Sequence, residues 1–137
     1  MPAEKIRLAA SVAEATRLNN WLDQQFALAA TPQEVRERVK LSLSEWFANI
    51  ISYGVKDPET ALIEFSFEAE GCGVRVEMID NGSPFDPRLA AEPMKITDVE
   101  TAKIGGFGIS LMKEAASELN YSRQQDNNCL ELTFHPR

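Results

Sequence analysis

Residues 44–54 read SEWFANIISYG and place a glutamate and an asparagine, Glu45 and Asn49, four positions apart within a helical pattern. Side chains at this spacing lie on the same face of a helix, here beside an apolar stripe. One interpretation is an exposed pair on a solvated helix face. The other is that Asn49 supplies a neutral oxygen to Mg²⁺, which prefers oxygen ligands, while Glu45 acts as a base or orients water.

A second polar motif, Asp80-Asn81-Gly82, follows the alternating run of residues 74–78. Asn-Gly after a strand ordinarily predicts a type I′ hairpin turn. The continuation SPFDP, residues 83–87, argues against a regular returning strand because its two prolines lack ladder donors. The alternative is that Asp80 ends a strand inside a pocket and accepts a hydrogen bond from the amino group of adenine, while Gly82 leaves room for the base.

A third motif is rich in glycine: Gly105-Gly106-Phe107-Gly108 leads directly into another helical pattern. Free N–H groups and the positive end of the dipole at a helix start favour a phosphate, and glycines let the backbone come close. The motif lacks the Gly-Lys-Ser/Thr ending of a Walker loop. Alone it is more often a flexible turn, and Lys103 before it is either a charge near the phosphates or a solvated side chain.

The periodicity of the whole chain predicts a strand, two helices, two strands, an aperiodic stretch, a helix and two final strands. Thr31 and Glu34 flank Pro32 in the pattern of a capping box, which predicts the start of the second helix. Prolines punctuate residues 83–104, which predicts a mobile lid. The order of elements predicts an α+β fold: a two-layer sandwich with a mainly antiparallel, mixed sheet covered on one face by helices.

Composition narrows the classes of function. The length of 137 residues suits one domain, and a formal charge of −7 argues against direct binding to nucleic acid. No apolar run approaches the roughly 20 residues of a membrane span. Cys72 and Cys129 match no zinc or redox spacing, and the N-terminus lacks the apolar core of a secretion signal. We therefore expect a reduced, cytoplasmic protein that binds other proteins and not membranes.

The three motifs, in this order, resemble the nucleotide-binding boxes of the GHKL ATPase superfamily. Within it, the chain resembles the compact anti-sigma-factor serine/threonine kinases of bacterial partner-switching systems. Residues 44–54 are similar to the N-box helix of that family, residues 80–87 to its first glycine box, and residues 105–121, GGFGISLMKEAASELNY, to its second. The resemblance covers nearly the whole chain and implies one Bergerat-type ATP-binding domain over residues 1–137, with an ATP lid at about residues 83–104.

The resemblance also implies roles for individual residues. By position, Asn49 is the ligand of Mg²⁺, Asp80 recognises the adenine of ATP, and Gly82 is its neighbour in the pocket. Glu45 would be the general base that takes the proton from an attacking serine or threonine hydroxyl. The second glycine box and the lysine before it would bind the nucleotide phosphates: Lys103, Gly105, Gly106, Phe107 and Gly108.

The partners implied by the resemblance are proteins. In that family the kinase phosphorylates a small STAS-type anti-sigma-factor antagonist and sequesters a sigma factor, and relatives serve other regulatory outputs. The family is commonly dimeric, which makes a homodimer compatible with this chain. Many relatives carry an arginine close before the second glycine box, where this chain has Lys103 and Ile104. The alternative function is therefore a nucleotide-responsive binding module without significant kinase activity.

Overall fold

The structure is a computed structural model and describes residues 3–89 and 108–137. Its elements in chain order are β1 (Glu4–Arg7), α1 (Glu14–Ala29), α2 (Gln33–Asn49), a π-helical turn (Ile50–Gly54), β2 (Ile63–Glu70), β3 (Gly73–Asp80), a 3-10 turn (Pro87–Leu89), α3 (Gly108–Ala115), β4 (Glu118–Gln124) and β5 (Asn127–Phe134).

The five strands form one sheet in the order β1-β2-β3-β5-β4. Every neighbouring pair among these strands is antiparallel, so the sheet is more regular than the mixed sheet that we expected. The last strand, β5, lies between β3 and β4. This insertion brings the end of β3 beside the start of β5, where Asp80 pairs in register with Asn128.

The hydrophobic core lies between the sheet and the helices. Along β2, Ile63, Phe65 and Phe67 are buried while the residues between them are partly exposed, because successive side chains of a strand point to opposite faces. The helical side of the core includes buried side chains from α1, α2 and α3: Leu18, Leu22, Val39, Leu43, Trp46 and Met112. The predicted two-layer α+β architecture is confirmed.

The junction between α1 and α2 differs from the predicted capping box. Ala30 adopts a left-handed conformation and ends α1, and the N–H of Thr31 donates to the carbonyl of Phe26. Pro32 then takes the extended cap position of α2, and no side chain caps the helix. The prediction of a Thr31 cap was wrong because Thr31 completes the end of α1, one residue before the cap of α2.

The end of α2 is widened by a single π-helical turn over Ile50–Gly54. The N–H of Val55 donates to the carbonyl of Ile50 at 3.1 Å, which closes this turn. Such turns interrupt α-helices mostly at functional sites. Among the helices of residues 3–89 and 108–137, none is long and apolar enough to cross a bilayer.

Candidate functional site

Two of the three motifs are described in full, and the structure brings them together at one end of the sheet. The π turn that follows Asn49 contacts the turn that follows Asp80: the N–H of Ser83 donates to the carbonyl of Gly54 at 2.9 Å. Gly108, the last residue of the third motif, packs against Glu45. Residues far apart in sequence therefore surround a common region at the ends of α2 and β3.

Asp80, the last residue of β3, has a buried carboxylate that is only half satisfied. The residue is 2% exposed. Its Oδ1 accepts hydrogen bonds from the N–H of Gly82 and from Nδ2 of Asn128, each at 3.0 Å. Its Oδ2 is buried and has no hydrogen-bond partner among the described residues. Buried polar atoms are nearly always paired, so Oδ2 is suited to accept a donor from a ligand.

The charge state of Asp80 depends on opposing influences. Burial raises the pKa of the Asp80 carboxyl, whereas the hydrogen bonds from Asn128 and Gly82 and the positive charge of Arg123 lower it. Burial disfavours the charged form, and donors to the carboxylate favour it. The donors and the positive charge around Asp80 therefore favour the ionised carboxylate, whereas burial alone favours the protonated acid.

Gly82 is required by the protein backbone itself. A Cβ on Gly82 would overlap the carbonyl oxygen of Gly54 and lie 2.8 Å from its carbonyl carbon and 2.9 Å from Oδ1 of Asp80. Arg123 also donates to the carbonyl of Gly82 at 2.8 Å. The sequence suggested that this glycine leaves room for a base. The structure adds a separate reason, which is the close approach of the turn after α2.

Glu45 lies in the penultimate turn of α2 with its carboxylate against the backbone of α3. A Cβ on Gly108 would lie 2.5 Å from Oε2 of Glu45. Glu45 is half-buried and makes no hydrogen bond or ion pair with the described residues. A carboxylate without a fixed protein partner is free to accept a proton from a bound hydroxyl or to orient water.

Asn49 is the last residue of α2 and is also half-buried. Its side chain forms no hydrogen bond within residues 3–89 and 108–137, which leaves its amide oxygen unused. The same residues contain no cluster of three or more acidic, histidine or cysteine side chains that could enclose a metal. This arrangement fits Mg²⁺, which is commonly held by one or two protein oxygens together with phosphate oxygens and water.

Sequence reasoning missed the contribution of the β4–β5 hairpin. Asn128 is buried on the inner face of β5 and contacts Asp80, and Tyr121 and Arg123 of β4 border the same site. The signal was present in the alternation of β5, in which Asn128 occupies the inward position of the series that continues with Leu130. A polar residue at an apolar position of a strand is the informative exception.

Trp46 belongs to the hydrophobic core and also contacts the segment that follows β3. It is buried on α2, and its ring lies 6.0 Å from that of Phe85, measured between centroids. Its indole N–H has no partner among the described residues. Because Phe85 belongs to the segment after Asp80, this contact packs the start of the predicted lid against the helix that carries Glu45.

The sequence that builds this site matches a known protein family. Residues 7–134 match the family model of the histidine kinase-like ATPase domain. The chain belongs to this family. The match extends over strands β2 to β5 and the three helices, and it confirms the predicted membership in the GHKL superfamily.

Two kinds of relative support this assignment of the ATPase domain. The serine/threonine-protein kinase BtrW of Bordetella bronchiseptica is 26% identical over 132 residues, which cover 96% of this chain and 93% of BtrW. The structure of the RsbU and RsbW domains of Rv1364c from Mycobacterium tuberculosis has a TM-score of 0.70 at 18% identity. The alignment covers 98% of this chain but 32% of that one, so the chain spans about a third of its length.

A histidine kinase shares the fold of this ATPase domain as well. The histidine kinase domain of the blue-light-activated EL346 from Erythrobacter litoralis has a TM-score of 0.56 at 14% identity, and the alignment covers 89% of this chain and 59% of that one. At these identities the structures establish the fold and leave the reaction open.

Membership in an ATPase-domain family implies ATP as the ligand, and the described residues fit it. Oδ2 of Asp80, which has no partner among the described residues, fits the predicted role of acceptor for the adenine amino group, and the oxygen of Asn49 fits the predicted role of magnesium ligand. The predicted phosphate-binding residues Lys103, Gly105, Gly106 and Phe107 lie outside the described residues. So do residues 90–104 of the predicted lid, and these assignments stay predictions.

Proposed function

We propose that this chain is a magnesium-dependent, ATP-binding serine/threonine protein kinase of a partner-switching system. It phosphorylates a small STAS-type anti-sigma-factor antagonist and sequesters a sigma factor or another regulatory protein in the cytoplasm. The observation that carries the proposal is the convergence of Glu45, Asp80 and Gly108 at one end of an ATPase-domain sheet. The name of BtrW, a serine/threonine-protein kinase, supports the type of reaction.

Recognition of adenine follows from Oδ2 of Asp80, which has no partner among the described residues. Its Oδ2 accepts a hydrogen from the exocyclic amino group of adenine. Guanine carries a carbonyl oxygen at the equivalent edge, which cannot donate and is repelled by a carboxylate. A buried acceptor that loses its donor also bears a large desolvation penalty, so the pocket discriminates against guanine nucleotides.

Transfer of the phosphoryl group requires a base and a counterion. Glu45 takes the proton of the attacking hydroxyl, and its lack of a partner among the described residues supports this role. When bound, Mg²⁺ offsets the negative charge on the transferring group, and Asn49 supplies one of its oxygen ligands. We place the phosphate acceptor on another protein, because the only histidine of the sequence, His135, follows the last strand and does not lie on a helix ahead of Glu45, as the acceptor of a histidine kinase would.

The experiment combines capture and transfer. The protein is used to capture partners from its native cytoplasm with and without ATP, and captured proteins are then incubated with labelled ATP and Mg²⁺. We expect a phosphoserine or phosphothreonine on a small captured protein, abolished by Glu45→Gln, while calorimetry shows that Glu45→Gln still binds ATP. Transfer at the wild-type rate by Glu45→Gln would remove Glu45 from the role of base.

A second candidate function is a nucleotide-responsive binding module without significant kinase activity. It is favoured by Lys103-Ile104, which replaces the arginine that many relatives carry before the second glycine box. The same experiment separates the two candidates, because a module forms ATP-dependent complexes in which no partner becomes labelled. Sedimentation with and without ATP tests the homodimer that the family resemblance allows.

A further inference from the structure

Asn128 is the most completely bonded polar side chain of the site, and none of the three motifs contains it. It is 2% exposed and pairs with Asp80 across β3 and β5. Its Nδ2 donates to Oδ1 of Asp80 at 3.0 Å and to the carbonyl of Ser83 at 2.9 Å. Its Oδ1 accepts from the N–H of Phe85 at 3.2 Å and from the hydroxyl of Tyr121.

These partners allow only one orientation of the Asn128 amide. The N–H of Phe85 can only donate and the carbonyl of Ser83 can only accept, so the oxygen and nitrogen of the amide cannot exchange places. A flipped amide would also set its oxygen against Oδ1 of Asp80. The backbone of residues 83–85 thus fixes the amide, and the amide in turn presents a donor to the carboxylate.

The consequence for Asp80 is an asymmetric carboxylate. Oδ1 already accepts two hydrogen bonds, from Asn128 and from the N–H of Gly82, whereas Oδ2 accepts none from the described residues. We propose that Asn128 is a positioning residue for base selection: it holds Oδ1 of Asp80 so that Oδ2 remains the acceptor for the amino group of adenine. This inference rests on the proposed binding of ATP and adds a residue that decides its selectivity over GTP.

The chemistry of the carboxyl explains why selectivity depends on Asn128. Burial raises the pKa of Asp80, and the hydrogen bond from Asn128 is the largest influence that lowers it. Without that donor the pKa rises further, and a protonated carboxyl can donate to the carbonyl oxygen of guanine. Among residues 3–89 and 108–137, the other titratable or charged groups around Asp80 are Arg123 and Tyr121 on β4 and Cys129 on β5, and Asn128 variants leave all of them in place.

Three variants separate the two halves of the amide. Asn128→Asp keeps the acceptor for Phe85 and Tyr121 but replaces the amide donor to Asp80 with a second carboxyl, which shares a proton with Asp80 and raises its pKa, and Asn128→Ala removes both halves of the amide. Tyr121→Phe removes one donor to Asn128 and leaves the bond to Asp80 intact. Asn127→Ala is the matched control, since Asn127 is the neighbouring asparagine and makes no side-chain hydrogen bond within the described part of the chain.

Calorimetry of the whole protein with ATP and with GTP, between pH 6 and 8, tests the inference. In Asn128→Asp and Asn128→Ala we expect the preference for ATP over GTP to fall by about tenfold or more. As the pH is lowered, these variants should begin to lose ATP affinity at a higher pH than the wild type does, because Asp80 becomes protonated sooner. Asn127→Ala keeps the wild-type preference within about threefold, and Tyr121→Phe, which leaves the bond to Asp80 in place, loses less of the preference than either Asn128 variant. Urea unfolding identifies any variant that does not fold, in which case the other Asn128 variant decides.

Two results would overturn the inference and are distinguishable from failure of the proposed function. If Asn128 variants weaken ATP and GTP equally, the residue has only a structural role. If they keep the wild-type preference while Asp80→Asn abolishes it, Asp80 selects the base without help and the proposed ATP binding stands. A wild-type protein that binds neither nucleotide would overturn the proposed function itself, and this inference with it.

Discussion

Glu45 on α2 and Gly108 on α3 are packed so closely that a Cβ on Gly108 would lie 2.5 Å from Oε2 of Glu45. The last glycine of the third motif therefore leaves room for the carboxylate of the first motif. The atom that a Cβ would meet is the end of a flexible side chain and not backbone. An added methyl group would displace the carboxylate without disturbing the two helices.

Gly108→Ala is expected to reduce phosphotransfer and not stability. Alanine loses less backbone entropy than glycine when it is fixed at the start of α3, which offsets part of the cost of moving Glu45. Displacing a catalytic group by about 1 Å can lower a rate about a hundredfold. Single-turnover transfer at saturating ATP should therefore slow by about tenfold to a hundredfold, and calorimetry separates this loss from any weakening of ATP binding at the predicted phosphate-binding turn.

Ser110→Ala is the control for this prediction because it changes the same helix at a residue that forms no hydrogen bond with Glu45. In a double-mutant cycle, Gly108→Ala should cost much less in a Glu45→Gln background, since the displaced carboxylate no longer acts. Additive losses would show that Gly108 affects transfer by a route other than Glu45.

Without nucleotide, Asp80→Asn should gain stability relative to the wild type as the pH rises. The same substitution should weaken ATP binding. The pKa of Asp80 is raised on folding, so the folded state binds this proton more tightly than the unfolded chain. The stability contributed by Asp80 is therefore fully present below about pH 4, its ordinary pKa, and is lost as the pH rises through the raised value. Asparagine does not ionise, so the Asp80→Asn variant does not lose stability in this way as the pH rises.

Urea unfolding of both proteins without nucleotide, at pH 4, 5.5 and 7.5, measures this effect. The free energy of unfolding of Asp80→Asn minus that of the wild type should increase over this range. Asp86→Asn is the control with the opposite sign, because hydrogen bonds from Arg88 lower the pKa of Asp86. A difference for Asp80→Asn that does not change with pH would contradict a buried, ionised Asp80.

The local motifs were predictable because their physics is local. The spacing of Glu45 and Asn49 fixes a shared helix face, and the prolines after Gly82 prevent a simple hairpin whatever the rest of the chain does. Asn128 was not predictable in this way. Its contact with Asp80 depends on the insertion of β5 between β3 and β4, which pairs residues 48 positions apart.

The same distinction applies to Gly82 and to the helix cap. The steric limit on Gly82 comes from the carbonyl of Gly54, and that contact exists only after the π turn has brought α2 against the end of β3. Thr31 has the composition of a cap but is used by the end of α1. Residue type made Gly82 and Thr31 candidates for special roles. Their actual roles depend on contacts with other parts of the chain, which the sequence pattern does not show.

Gly82→Ala should destabilise the fold, whereas Gly54→Ala should be tolerated. A Cβ on Gly82 would overlap backbone atoms of Gly54, which cannot move aside by a rotamer change. Forcing extra atoms into a packed site costs about 1–3 kcal/mol. A Cβ on Gly54 would meet only Cγ2 of Ile50, at an ordinary 3.8 Å. Urea unfolding of both variants measures the difference, and equal stabilities would show that the turns separate easily.

Arg38 of α2 should be a major determinant of stability because it joins α2 to the ends of α3 and β5. Its guanidinium donates to the carbonyls of Ala115 and His135, at 2.8 and 2.7 Å, and to the hydroxyl of Ser117 at 3.1 Å. Arg38→Ala should lower the free energy of unfolding by about 2–4 kcal/mol, since each lost bond contributes about 1 kcal/mol and a buried carbonyl is left unpaired.

Arg38→Lys distinguishes the shape of this side chain from its charge. Lysine keeps the positive charge near the C-terminal end of α3, but one ammonium group cannot reproduce a planar fork that reaches three acceptors. We expect Arg38→Lys to recover less than half of the stability lost in Arg38→Ala, as measured by urea unfolding. Arg36→Ala, an exposed arginine of the same helix, should change stability by less than about 0.5 kcal/mol. Full recovery by lysine would mean that charge alone, and not the fork of hydrogen bonds, secures the junction.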